Sequence, residues 1–166
     1  LVVLCLGFTA CQEDDSPTEG PQGEQGPPGE DGEDGNANVI ISDWEYGSAR
    51  RDTVIDGSNM NYVKVMSPEL SATYLNNSAI LVYMSFGPIV PLPYTSYAGS
   101  KLNTINFIPS ANKLFITRFT HDNSGSIPLS SALQYRYVII PPQEDLRIDF
   151  AAMSYEEVMD YFGKDY

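Results

Sequence analysis

The sequence predicts a mainly β fold: a two-sheet β-sandwich, Ig-like or jelly-roll-like, of about six to eight strands. One or two short helices accompany it, one of them C-terminal, and a collagen-like N-terminal segment stays disordered. Three observations lead there. Short runs rich in Val, Ile, Tyr and Phe recur through residues 38–166, several alternating with period two. Clusters of Gly, Pro, Asn and Ser separate them. Glycine occupies every third position from Gly20 to Gly35, in a stretch too polar to bury a core.

In chain order, residues 1–10 read as a signal peptide whose basic n-region lies upstream of the sequence. Eight of these ten residues are apolar, far short of the roughly 20 needed to span a bilayer. Phe8-Thr9-Ala10-Cys11 resembles the lipobox of bacterial lipoproteins, although Phe8 stands where Leu is usual. That resemblance implies acylation of the Cys11 sulfur and cleavage before it, so that residues 11–19 become a lipidated acidic linker. Gln12-Glu13-Asp14-Asp15 looks like an export signal to the outer face of the outer membrane. The expected location is therefore the outer membrane, lipid-anchored and facing the exterior.

Residues 20–37 form a Gly-X-Y stalk with glycines at Gly20, Gly23, Gly26, Gly29, Gly32 and Gly35. Only glycine fits the axis of a triple helix, which gives a strict period of three a physical cause. Yet Glu30, Asp31, Glu33 and Asp34 would stack threefold with no Lys or Arg beside them. An extended, disordered spacer is expected in the monomer, with a homotrimer through this segment as the alternative. "EDGEDGN" lacks the ligand spacing of a calcium loop.

Within 38–166, "NVIISDWEY" places Ile40, Trp44 and Tyr46 on one strand face. "NYVKVM" (61–66) alternates. "AILVYMSF" (79–86) is apolar on both faces, as in a strand covered from two sides. Two prolines confine "IVPLPYTSY" (89–97) to an edge strand or loop. "LNTINFI" (102–108) and "KLFITRFTH" (113–121) flank a "PSAN" turn, "QYRYVII" ends before Pro141, and "LRIDF" (146–150) predicts a short last strand. "SPELSATYLNN" (67–77) predicts a helix capped by Ser67 with Pro68 at its first position. "SYEEVMDYFG" (154–163) carries a capping box, Ser154 with Glu157, a Gly163 stop, and an apolar stripe of Val158, Tyr161 and Phe162.

Charge excludes one class of partner. The chain carries a formal charge of −13, and residues 1–49 contain no Lys or Arg. Nine acidic residues lie between Glu13 and Asp34, so the remainder is only mildly acidic. No basic stripe exists to neutralise phosphates, and no nucleic-acid partner is expected. Both cysteines precede residue 12, which leaves the domain without a disulfide framework, and no metal or cofactor is expected.

The lipobox, the Gly-X-Y run, "SDWEY", "SAILVYMSF", "VPLPYTSY", "YRYVIIP" and the closing "IDF…SYEEVMDYFG" together resemble a group of collagen-like surface lipoproteins of Gram-negative bacteria. The resemblance implies a surface lipoprotein, with the membrane as partner through the N-terminal lipid, and a β-rich globular domain; structural or adhesive contacts by that domain are our own expectation. It transfers no activity and no site. The lone histidine, His121, precedes Asp122 and Ser124 without a G-x-S-x-G elbow, so no enzyme is expected. Tyr94, Tyr97, Tyr135 and Tyr137 are candidates for a glycan-stacking platform, or else for core packing. A polysaccharide or a host or cell-surface protein would be the partner. Asp52-Thr53-Val54 resembles an O-glycosylation acceptor of some of these bacteria, with Thr53 as the modified residue.

Overall fold

The computed structural model describes residues 39–125, 127–142 and 148–165. Cys11 and the six stalk glycines lie outside them. The described residues form two antiparallel sheets with short helices. The covered sheet contains β1 (Ile40–Ile41), β2 (Glu45–Tyr46), β5 (Ala79–Ser85), β6 (Ile89–Pro91) and β10 (Gln134–Ile140). β10 and β5 are its centre, β6 lies at one edge, and β1 and β2 pair successively along the far side of β10. The open sheet runs β3 (Ser48–Ile55), β4 (Ser58–Met66), β9 (Lys113–Thr120), β8 (Asn103–Ser110), β7 (Tyr94–Ser96).

The core has two storeys. Between the sheets, Val63 and Val65 of β4 and Leu114 and Ile116 of β9 meet Val82 and Met84 of β5 and Tyr135, Tyr137 and Ile139 of β10. On the other face of the covered sheet, Tyr83, Val138 and Ile140 pack under helix α2 (Tyr155–Tyr161) and Phe150. This is why "AILVYMSF" is apolar on both faces: β5 is covered by a sheet on one side and a helix on the other. The α2 capping box forms, with Ser154 Oγ accepting from the Glu157 N–H at 3.2 Å and Glu157 Oε2 accepting from the Ser154 N–H at 2.7 Å. Its buried stripe is Tyr155, Val158 and Met159. Phe162 joins it partly, while Tyr161 is 44% exposed.

Several expectations need correction. The first strand breaks at Ser42–Trp44, where Ser42 exchanges bonds with the Tyr137 backbone through its own N–H and its hydroxyl. The break shifts the alternation, so Ile40 packs between the sheets while Trp44 faces the helix layer. There Trp44 meets Tyr155 at 5.9 Å, under the guanidinium of Arg136. The first helix, α1, is only Ala72–Asn77, and its cap is Ser71 rather than Ser67. Ser67–Leu70 is a turn tied to the β8–β9 hairpin by Ser67 N–H to Asn112 O and Asn112 N–H to Leu70 O. That pairing holds the backbone out of the helix. β8 runs further than expected, to Ser110, while β9 starts at Lys113 as expected and ends at Thr120, so the turn is only Ala111–Asn112. Ile148 and Asp149 are not strand, and Phe150 opens a 3-10 turn capped by Asp149.

The "IVPLPYTSY" segment supplies two edge strands rather than one. β6 closes the covered sheet, the chain crosses at a cis Leu92–Pro93 bond, and β7 closes the open sheet. The opposite crossing is Gly47, between β2 and β3. A Cβ there would lie 2.3 Å from Val63 Cγ2, so only glycine allows this approach. β3 is an additional strand with no counterpart among the sequence expectations. It pairs only β4 among the described residues, its register shifts between Ser48 and Arg51, and Ala49 has φ 53°.

Candidate functional site: the outer face of the open sheet

Strand register decides which side chains leave the core. On β4, Asn61, Val63 and Val65 point inward, so Met60, Tyr62, Lys64 and Met66 point outward. Opposite them β9 presents Phe119, Thr117, Phe115 and Lys113. The next strand adds Thr104, Asn106 and Ile108, and β3 adds Arg51, Thr53 and Ile55. Among the described residues no helix or sheet packs across this face.

Its centre is a shallow apolar depression of about 310 Å³ lined by Thr53, Ile55, Tyr62, Ile108, Phe115 and Thr117. Tyr62 meets Phe115 edge to face at 5.5 Å. The Lys113 ammonium lies 5.5 Å from the Phe115 ring, a cation–π contact that leaves its charge at the rim. Arg51, Lys64 and Lys113 stand on this face, and none of the outward positions is acidic. For a chain of net charge −13 this is a local reversal of sign. At the β7 end the face turns polar: Thr95 and Thr104 share a hydroxyl bond at 2.8 Å, and Thr104 Oγ1 bonds His121 Nε2 at 2.8 Å.

The tyrosines do not form one platform. Tyr97 is 72% exposed and Tyr94 is half-buried, but Tyr135 and Tyr137 are 1% and 3% exposed, inside the intersheet core. They do share a strand face, and it is the inner one. This removes both from any exposed glycan-stacking surface. Burial raises the phenol of Tyr135, and burial with a 2.5 Å bond to Glu69 Oε2 raises that of Tyr137 to about 12.

His121 stacks on Phe119 at 5.7 Å and 14°, with its Nε2 committed to Thr104. Ser124 Oγ bonds Asp122 at 2.6 Å rather than the imidazole, so the three side chains are not arranged as nucleophile, base and orienter. The Ser124 hydroxyl and N–H hold the Asp122 carboxyl well below the usual carboxylate range. Thr53, half-buried, sits in the depression itself. Among the described residues no three His, Cys, Asp or Glu side chains converge as metal ligands, and no helix is long and apolar enough to cross a membrane.

The outer face was legible only in part. Tyr62, Lys64 and Met66 read as one side of a strand, but the missing β3 concealed Arg51, Thr53 and Ile55 as their neighbours. The signal for it was Asp56-Gly57, a dipeptide that favours a two-residue hairpin; both residues have positive φ, 48° and 74°.

Fold and face together define a two-layer β-sandwich with a helical cover on one sheet and, on the other, an apolar, cationic face uncovered among the described residues. The chain matches no protein-family model, no curated protein and no solved structure.

Proposed function

We propose that this chain is a lipid-anchored bacterial cell-surface protein whose β-sandwich makes non-enzymatic adhesive contacts through the outer face of its open sheet. The anchoring half rests on the lipobox resemblance at Cys11 and on the Gly-X-Y run, which lifts the domain off the outer membrane as a spacer. The contact half is carried by one observation: a sheet face that combines Tyr62, Phe115, Ile108 and Ile55 with Arg51, Lys64 and Lys113 and that, among the described residues, is uncovered and carries no carboxylate. Aromatic and basic residues of this kind anchor protein contacts, with charge steering the encounter. The partner is an anionic cell-surface protein.

The test has two arms. Cells making the full chain are fed an alkyne fatty acid, and the label is expected on the wild type and absent from Cys11→Ser. Protease shaving of intact cells is expected to remove the domain. Cells bearing Tyr62→Asp or Phe115→Asp are then scored for adhesion, which is expected to fall with surface abundance unchanged. Unlabelled wild-type protein refutes the anchor, and undiminished adhesion refutes the face.

A second reading, a glycan-binding module, keeps support from Tyr97 and Tyr94, which remain at the surface. A glycan array with no hit removes it. A glycan on Thr53 would itself cover the depression, and mass spectrometry of native material showing unmodified Thr53 leaves the face free.

A further inference from the structure

Arg118 points inward from β9, opposite Ile105 on one side and Asn61 on the other, and is 7% exposed. Its Nε donates to Asn103 Oδ1 at 2.9 Å and its Nη1 to Pro128 O at 3.3 Å. Both acceptors are neutral. Asn103 is itself fully buried, and its Nδ2 donates to the carbonyls of Ser96, Ala98 and Lys101 at 3.0, 3.0 and 2.7 Å. Those three bonds fix Oδ1 on the arginine side, so the guanidinium is oriented before anything else arrives.

The charge is held but not balanced. Among the described residues no carboxylate lies within ion-pair distance of Arg118, and Nη2 makes no hydrogen bond. Burial pulls the guanidinium below its ordinary value, but an arginine stays protonated in proteins. A buried cation without a counter-ion is costly. Arg118 also lines a cleft of about 260 Å³ between the sheets. The cleft walls are mostly apolar: Met84, Phe86, Tyr94 and Leu133, with the Ser96 and Ser130 residues as the polar exceptions. The Phe86 and Tyr94 rings stand 5.9 Å apart at 44°.

We propose that this cleft binds a small apolar carboxylate, with the acid group on Arg118 and its ring or short alkyl body between Phe86, Tyr94 and Leu133. One guanidinium matches one carboxylate in planar, two-bond geometry. The volume falls below the roughly 300–1,000 Å³ of drug-sized sites, which sets the ligand small. The scarcity of polar wall groups excludes a sugar, whose hydroxyls would be left unpaired. The site is separate from the outer face of the open sheet and stands whether or not that face is adhesive.

The test is calorimetric titration of the full chain with phenylacetate and with hexanoate, and with phenylacetamide as the uncharged counterpart. Both acids are expected to bind, the amide at least about tenfold more weakly because it loses the charge-assisted pair. Ser130→Trp, at an exposed wall position, fills the cleft without touching the Arg118 clamp. It is expected to weaken both acids at least about tenfold at an unchanged melting temperature. Arg118→Met is expected to abolish binding; the Ser130 variant keeps the proposal open to refutation if Arg118→Met does not fold. Absence of saturable binding by either acid in the millimolar range, equal binding of acid and amide, or acid binding unchanged by Ser130→Trp would each overturn it and leave Arg118 as a structural clamp.

Discussion

Raising the pH should unfold this domain from its tyrosines outward. Tyr83, Tyr135 and Tyr137 are 1%, 1% and 3% exposed. Burial comes first among the causes that raise each phenol above its ordinary 10.0, with Tyr83 and Tyr137 reaching about 12. In the unfolded chain these phenols release protons near 10, while the folded chain keeps them. Above pH 10 the unfolded state therefore binds fewer protons, and stability falls with pH; below it, the contribution is intact. Each phenol costs about 1.4 kcal/mol per pH unit across that window. Three together remove several kcal/mol between pH 10 and 12, a large share of the roughly 5–15 kcal/mol that holds a typical domain. An alkaline titration followed by tyrosinate absorbance and far-ultraviolet circular dichroism should show the buried phenols ionising together with loss of the β signal. Tyr135→Phe supplies the control. The Tyr135 hydroxyl makes no hydrogen bond among the described residues, so its removal should leave neutral-pH stability unchanged or higher and move the alkaline midpoint upward. Ionisation of every tyrosine near its ordinary value with the β signal intact would refute the reasoning.

Other perturbations probe other layers. Met159→Ala, on the fully buried stripe of α2, should cost about 2–5 kcal/mol in denaturant unfolding. Gly47→Ala drives a Cβ into Val63 and should cost about 1–3 kcal/mol or more, measured the same way. Asn61, 3% exposed, accepts from the Leu129 N–H at 2.9 Å and donates to Arg51 O and Asp52 Oδ1; Asn61→Ala should cost about 1–3 kcal/mol and raise hydrogen exchange at Leu129. Ser154→Ala breaks the capping box and should cost about 1 kcal/mol, read as a lowered unfolding midpoint.

What the sequence reveals follows from where each signal is local. The two-faced apolarity of β5 needs only its own residues, and so does the Ser154–Glu157 cap of α2. β3 is harder to read because Ser48, Ala49, Arg50, Arg51 and Asp52 are poor strand formers that hold their place by pairing with β4. The α1 boundary depends on Asn112, about 45 residues beyond Ser67, and no window around Ser67 contains it. Tyr135 and Tyr137 were readable as face-mates, but which face is inward depends on which sheet β10 joins. The Arg118 cleft is the least legible feature, because its parts come from β5, β7, β8, β9 and the Ser130–Leu133 segment.

The outer edge of β3 has a consequence for crowding. On the surface proposed above, copies of the domain would meet one another often, and a long edge strand such as β3, which among the described residues pairs only β4, is a template on which copies zip into ribbons. β3 carries features that disfavour such a ribbon. Ala49 kinks the edge, Arg50 turns back to the Leu129 carbonyl, and Arg51 and Asp52 follow at once. On the surface proposed for it, a dense lawn of these domains would therefore stand shoulder to shoulder and remain a population of individuals.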